Sequence, residues 1–77
     1  MIFKGVFTME EIRIDTEFIK LDQFLKHCGI AQTGGQAKMM IADGMVKVNG
    51  QVALERGKKI RKDDKVEIDD QYRFLVV

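Results

Sequence analysis

The Asn49-Gly50 pair constrains the fold of this chain more than any other feature. Both central positions of a type I′ turn need positive φ, which asparagine and glycine tolerate better than other residues. Residues 45–48 and 51–54 flank this pair and are predicted to form two paired strands. A tight hairpin is therefore expected here, and residues 20–44 directly before it carry helical patterns.

The first helical pattern is a single apolar stripe. Leu21, Phe24, Leu25 and Cys28 fall at i, i+3, i+4 and i+7, which is the spacing of one face of a two-turn helix. Gly29 follows the stripe and suits the left-handed position that closes many helices. The same spacing places Cys28 in the core. The neighbouring His27 is not expected to act as its catalytic base, because adjacent helix residues point in different directions and no third residue is specified to orient the histidine.

A second helix is predicted to begin at a capping box, Thr33 to Gln36. In this motif the threonine hydroxyl accepts from the N–H three residues on, and the glutamine reaches back to the N–H of the threonine. Gly44 after Asp43 marks the end of the helix. The predicted inward face consists of Ala37, Met40 and Ile41, with Met39 or Met45 at its flank.

The remaining segments predict strands and turns around these helices. Residues 11–15 alternate as a half-buried strand, and two closing strands are expected around residues 66–68 and 72–76. Residues 56–62 form a basic loop anchored by Ile60, and Asp63-Asp64 makes a turn. The predicted fold class is α+β, with a two-helix motif packed on a small, mainly antiparallel twisted sheet.

The charge is distributed unevenly along the chain. The net charge is only +1, but residues 20–62 carry nine lysines and arginines against three acidic residues, a net +6. Residues 1–19 carry −2 and residues 63–77 carry −3. A basic centre of this kind favours a polyanionic partner.

Size and composition restrict the class of function. Seventy-seven residues leave little material for a buried catalytic pocket, so a binding module is expected rather than an enzyme. The one cysteine gives neither a disulfide nor a metal-binding spacing, and fits a reducing cytoplasm. No run approaches the roughly 18 apolar residues of a membrane span. A soluble, cytoplasmic protein without cofactor, metal or membrane partner is therefore expected.

Residues 1–8 lack a clear periodicity and precede a second methionine, Met9. Two interpretations stay open for this segment, a translated leader upstream of a start at Met9 and a disordered arm. Either one assigns a single domain to residues 9–77.

Several spaced elements together resemble the S-four RNA-binding domain, and in particular the stand-alone bacterial subfamily typified by YaaA and YbcJ. The resemblance covers residues 20–68. Its elements here are Lys20-Leu21-Asp22-x-Phe24-Leu25, Gly29-Ile30-Ala31, Thr33-x-x-Gln36-Ala37-x-x-x-Ile41, Gly44-x-Val46-x-Val48-Asn49-Gly50 and Asp64-x-Val66-x-Ile68.

This resemblance implies the two-helix αL motif and a non-enzymatic monomer that binds structured RNA, expected to be ribosomal RNA or a ribosomal subunit. Many family members place an arginine in the turn that opens the second helix, where this chain has Gly34-Gly35. Backbone N–H groups at that helix end are expected to replace the lost side chain. The expected RNA-binding residues are Lys20, Thr33, Gly34, Gly35, Gln36, Lys38, Lys47, Arg56, Lys58 and Lys59.

The family function leaves three alternatives open. An RNA-binding module would act in ribosome assembly or ribosome-associated quality control. A protein-interaction module would dock its sheet edge or basic face onto an acidic partner. An accessory domain would serve an RNA-modifying enzyme in trans.

Overall fold

The structure is a computed structural model that describes residues 9–77, so the leader expected at residues 1–8 lies outside it. The elements in chain order are β1 (Glu10–Ile12), β2 (Ile19–Lys20), α1 (Leu21–His27), α2 (Gly34–Ala42), β3 (Val46–Val48), β4 (Gln51–Val52), β5 (Lys59–Ile60), β6 (Lys65–Ile68) and β7 (Tyr72–Val76).

The strands form a five-stranded sheet with the order β1-β7-β6-β3-β4 and a separate two-stranded ladder of β2 and β5. Only the β1–β7 pair is parallel, and the remaining pairs are antiparallel. The predicted mainly antiparallel sheet is confirmed. The strand expected at residues 11–15 starts at Glu10 and is shorter, but the Ile14 N–H still bonds to the Val77 carbonyl oxygen at 3.0 Å.

Both helices pack on one face of the five-stranded sheet. The ring of Phe24 in α1 meets that of Phe74 in β7 edge to face, with centroids 6.1 Å apart. Side chains alternate across a strand, so Lys47 points to the opposite face from its buried neighbours Val46 and Val48. The largest side chains that are fully buried are Phe24, Leu21, Leu25, Ile41, Ile60, Ile68, Val46, Val66 and Val76.

The helix ends follow the predicted capping with one correction. Gly29 after α1 has φ +83°, and Gly44 after α2 has φ +76°. The Gln36 N–H donates to Thr33 Oγ1 at 3.0 Å, as expected of a capping box. The Gln36 side chain, however, accepts from the N–H of Gln32 at 2.8 Å, one residue before the predicted donor. At the flank of α2, Met45 is half-buried, whereas Met39 is 66% exposed.

The Asn49-Gly50 turn confirms the predicted hairpin, with φ of +53° and +86° at its two residues. The Asn49 side chain has a second use. Its Oδ1 accepts from the Lys65 N–H and its Nδ2 donates to Asp64 Oδ1, both at 3.0 Å. One asparagine thus turns the β3–β4 hairpin and fixes it to the start of β6.

The turn between β6 and β7 also contains two residues with positive φ, but its sequence suits them less well. Asp69 and Asp70 both have positive φ, +52° and +54°, and the Gln71 N–H closes the turn on the Ile68 carbonyl at 3.0 Å. An aspartate tolerates this region less well than glycine does. The Asp70 carboxylate pairs with Lys47 at 3.6 Å, but this pair is exposed and contributes little stability.

Replacing Asp70 with glycine is therefore expected to stabilise the fold. The free energy of unfolding should rise by about 1 kcal/mol relative to Asp70→Ala, because only glycine relieves the left-handed backbone. Both variants lose the ion pair with Lys47, so their difference isolates the backbone effect. Urea denaturation of the two variants measures it, and equal stabilities would contradict the assigned turn geometry.

Candidate nucleic-acid interface

The basic loop is attached to the first helix by backbone hydrogen bonds. The N–H groups of Leu21 and Asp22 donate to the carbonyl oxygens of Lys58 at 2.8 Å and Arg56 at 3.0 Å. The loop also contributes strand β5, which pairs with β2, whereas the sequence pattern predicted only a loop with Ile60 as its anchor. Ile60 is fully buried, so the anchor is confirmed.

This attachment gathers four of the expected RNA-binding residues. We refer to Lys20, Arg56, Lys58 and Lys59 as the basic cluster. All four are exposed, and in residues 9–77 none of them lies within ion-pair distance of a carboxylate. The Lys59 ammonium lies 4.8 Å from the centroid of the half-buried Phe18 ring, a cation–π contact. The cluster is thus a concentration of positive charge without neutralising partners in the described chain.

The N-terminus of α2 contributes a second element. Among the described residues, the N–H groups of Gly34 and Gly35 have no acceptor, while that of Gln36 is taken by Thr33. Neither glycine has positive φ, and a Cβ added at either position would meet nothing closer than 3.9 Å. Backbone geometry and packing therefore leave these two glycines unexplained. Lys38 lies one turn further on and is exposed.

Lys47 is separated from these elements. It projects from the sheet face opposite the helices and pairs with Asp70. Glu67 lies opposite Lys47 on the neighbouring strand β6, and its carboxylate forms an ion pair with Arg73 at 3.2 Å. Lys47, a predicted site residue, thus lies on the sheet face opposite the helices, because successive side chains of a strand point to opposite faces.

The turn predicted at Asp63-Asp64 is present directly after the basic cluster. Arg61 and Lys62 make no ion pair with Asp63 or Asp64. Instead, the Arg61 backbone N–H donates to Asp64 Oδ2 at 2.8 Å. The aspartate thus stabilises the turn and leaves both side-chain cations exposed.

His27 and Cys28 have separate structural contacts. The His27 ring nitrogen Nε2 lies 3.1 Å from the Arg13 carbonyl oxygen, which can only accept, so Nε2 carries the proton. The Cys28 thiol donates to the Leu25 carbonyl oxygen at 3.6 Å. Burial raises the pKa of the Cys28 thiol, opposed in part by its backbone hydrogen bonds. A raised pKa disfavours the nucleophilic thiolate.

Other chemistry finds no support in the part of the chain that the structure describes. Residues 9–77 contain no group of three or more His, Cys, Asp or Glu placed to hold a metal ion. Within the same residues, none of the helices has the length and apolar character needed to cross a bilayer. Tyr72, 48% exposed, lies beside the acidic Asp69-Asp70 turn rather than in the basic cluster.

Comparison with known proteins gives a consistent result. The family model described as the S4 domain, which is the S-four domain of the sequence analysis, matches residues 12–77. The chain is 44% identical over 66 residues to the "Probable ribosome maturation protein RlbA" of Bacillus subtilis (strain 168). That alignment covers 86% of this chain and 93% of the relative.

Two solved structures share the fold. The solution structure of YbcJ from E. coli, described as having an αL motif involved in RNA-binding, is similar with a TM-score of 0.70 and 31% identity. It covers 100% of this chain and 96% of YbcJ. The 30S ribosomal protein S4e from Thermoplasma acidophilum matches with a TM-score of 0.54 and 22% identity over 71% of this chain and 29% of S4e, which shows a common fold alone. The predicted α+β fold with its αL motif is confirmed.

The environment of Cys28 predicts an unreactive thiol. Modification by a disulfide reagent at neutral pH should be at least about tenfold slower in the native protein than in denaturant, because burial disfavours the thiolate. Absorbance of the released chromophore measures both rates. A fast native reaction that slows in His27→Ala would instead show an activated cysteine.

Proposed function

Because this chain belongs to the S4 domain family, we propose that it is a non-enzymatic RNA-binding protein of the bacterial cytoplasm. Its partner is structured ribosomal RNA, free or within a ribosomal subunit, and the protein acts as a monomer in ribosome assembly or ribosome-associated quality control. The observation that carries the proposal is the basic cluster, four exposed cations held beside the αL motif without carboxylate partners among residues 9–77.

The chemistry of this face suits phosphate better than bases. The cluster offers ammonium and guanidinium groups, which bind phosphate oxygens through charge-assisted hydrogen bonds. The nearest aromatic ring, Phe18, is half-buried and covered by Lys59. Stacking on unpaired bases requires an exposed ring, which this face lacks among the described residues. The RNA is therefore recognised by its backbone and shape, as in folded or double-helical RNA.

The N-terminus of α2 adds a backbone contact. The two N–H groups at Gly34 and Gly35 lack acceptors and lie at the positive end of a nine-residue helix. Without a Cβ, these residues let a phosphate approach closely. Thr33 and Gln36 hold the turn in place, and Lys38 supplies a positive charge one turn further on.

The ribosomal assignment is supported by the relatives. The B. subtilis relative is named as a probable ribosome maturation protein, and its similarity extends over nearly the whole of both chains. A small basic domain of this kind fits a factor that binds RNA and leaves again, because electrostatic contacts form quickly and respond to ionic strength.

Two other functions make different predictions. A protein-interaction module would use the edge of β4, where Val52 and Leu54 are 51% and 65% exposed. Co-sedimentation with ribosomal subunits that survives nuclease treatment would favour this alternative. If the protein is an accessory domain for an RNA-modifying enzyme, deletion of its gene should reduce modification of the RNA. The purified protein would still bind that RNA.

Lys38→Glu should weaken binding to a structured ribosomal RNA fragment by about 1–3 kcal/mol, the scale of a lost charge-assisted phosphate contact. Lys65→Glu is the matched control, since Lys65 is exposed on β6 and belongs to neither element of the site. Titration at several salt concentrations gives both the affinities and the slope of binding against salt. Equal effects of the two variants, or an affinity independent of salt, would refute the phosphate-binding face.

The double variant Gly34→Ala, Gly35→Ala separates structure from binding. The helix should be equally or more stable, because alanine favours helical backbone and the added methyl groups meet open space. Affinity for the RNA should nevertheless fall, since each Cβ hinders the approach of phosphate to the N–H groups. Thermal melting and RNA titration of the same sample provide the two measurements. Wild-type affinity in the folded variant would show that these glycines only begin a helix.

A further inference from the structure

The β2–β5 ladder places two lysines directly opposite each other. In its antiparallel register, Lys20 pairs with Lys59 and Ile19 pairs with Ile60. The isoleucines face inward, since Ile60 is fully buried and Ile19 is half-buried, so both lysines project outward together. Like charges at directly opposed positions destabilise a strand pair. No carboxylate among residues 9–77 lies within ion-pair distance of either ammonium.

The surrounding hydrogen bonds prevent this pair from separating by a change in register. The N–H groups of Leu21 and Asp22, directly after β2, are bonded to the carbonyls of Lys58 and Arg56. A shift by one residue would break these bonds and expose Ile60. The fixed register thus keeps the two positively charged residues opposite each other. A glutamate at either position would replace this pair of like charges with a pair of unlike charges. Lys59 also contacts the Phe18 ring, but no described contact of the exposed Lys20 side chain requires lysine at that position.

A bound phosphate group would turn this repulsion into two attractions. The Cβ atoms of directly opposed residues are roughly 5 Å apart, and lysine side chains are long and flexible enough to converge on one anion. The N-terminus of α1 contributes no donor, because Leu21 and Asp22 use their N–H groups on the loop and the Gln23 N–H bonds to the Asp22 carboxylate at 2.8 Å. The site is therefore made by side chains.

On this basis, and resting on the proposed RNA-binding function, we propose that Lys20 and Lys59 together hold a single phosphate group. Its binding stabilises the ladder and the start of α1. Phosphate binding stabilises the folded protein because the anion binds only when the two strands are paired. RNA binding therefore strengthens the part of the protein that attaches the basic loop to the αL motif.

A charge-reversal cycle tests the repulsion. We expect Lys20→Glu and Lys59→Glu each to raise the melting temperature by about 2–5 °C in dilute chloride buffer, since each creates an opposed pair of unlike charges. The double variant restores like charges and should lose this gain. In roughly 1 M salt the differences should nearly vanish. Lys65→Glu, which makes the same change of charge on β6, controls for the general effect on net charge.

Lys20→Glu is the more informative single variant, because Lys59→Glu also removes the contact with Phe18. If Lys20→Glu is no more stable than Lys65→Glu, and the cycle is additive, the two lysines do not repel each other in the folded protein. That result would overturn the proposal.

Ligand binding tests the site with two probes, inorganic pyrophosphate and a short RNA duplex. Pyrophosphate at constant ionic strength should raise the melting temperature of the wild type and of Lys65→Glu, but not of Lys20→Glu. Affinity for the duplex should fall about tenfold in Lys20→Glu, as for one lost phosphate contact. If Lys20→Glu loses affinity for the duplex but responds to pyrophosphate as the wild type does, the site is also supported. Its ligand is then the phosphate of the RNA backbone.

The two proposals fail in different ways. If Lys20→Glu binds both probes as the wild type does, the lysine pair is not a phosphate site, while RNA binding by the protein stands. If the wild type binds no RNA but responds to pyrophosphate through Lys20, the site is supported with free phosphate as its ligand, and the proposed function fails. If the wild type responds to neither probe, both proposals are refuted.

Discussion

Two backbone hydrogen bonds at the start of α1 determine how the charged face of this protein is arranged. The first N–H groups of a helix lack partners within the helix and must find them elsewhere. Here those of Leu21 and Asp22 bond to the carbonyls of Lys58 and Arg56, which are distant along the chain. The same contact sets the register of the β2–β5 ladder and holds a highly charged loop against the core. Together with the buried Ile60, these bonds fix residues 56–59 relative to α1.

The two ends of the αL motif therefore have different chemistry. At α1 the helix N–H groups are used internally, and the neighbouring side chains supply the positive charge. At α2 the N–H groups of Gly34 and Gly35 remain without acceptors in the described chain, and the exposed Lys38 lies one helical turn further on. A polyanion that spans both ends would meet mobile cations at one and a rigid backbone at the other. Such a surface constrains the shape of the ligand while remaining tolerant of its base sequence.

The sequence predicted the elements whose local chemistry leaves few alternatives. The Asn49-Gly50 turn and the helix over the stripe from Leu21 to Cys28 are set by backbone preference and by helical period. Both elements were confirmed, although Cys28, expected in the core, is only half-buried at the helix end. The β5 strand was missed because a two-residue strand has no period, and its pairing depends on a partner far away in the chain. Lys47 was assigned from its position in the motif, but alternation along β3 places it on the opposite face, next to Asp70. Distance along the sequence is thus a poor guide to which cations share a surface.

Several positions in this small protein carry residues that stability alone would not select. The glycines of α2 reduce helix propensity without relieving any close contact. Lys20 and Lys59 place like charges at directly opposed positions of a ladder whose register is fixed by neighbouring hydrogen bonds. Either pair alone would be ordinary, because a folded domain of this size tolerates a small loss of stability. The position of these residues argues otherwise. The lysine pair lies at the start of α1 and exposes positive charge, and the glycine pair lies at the start of α2 and leaves N–H groups without acceptors in the described chain. A polyanion is the one ligand class that would compensate both losses at once. These two positions therefore support the proposal that this surface of the αL motif binds the phosphate groups of RNA.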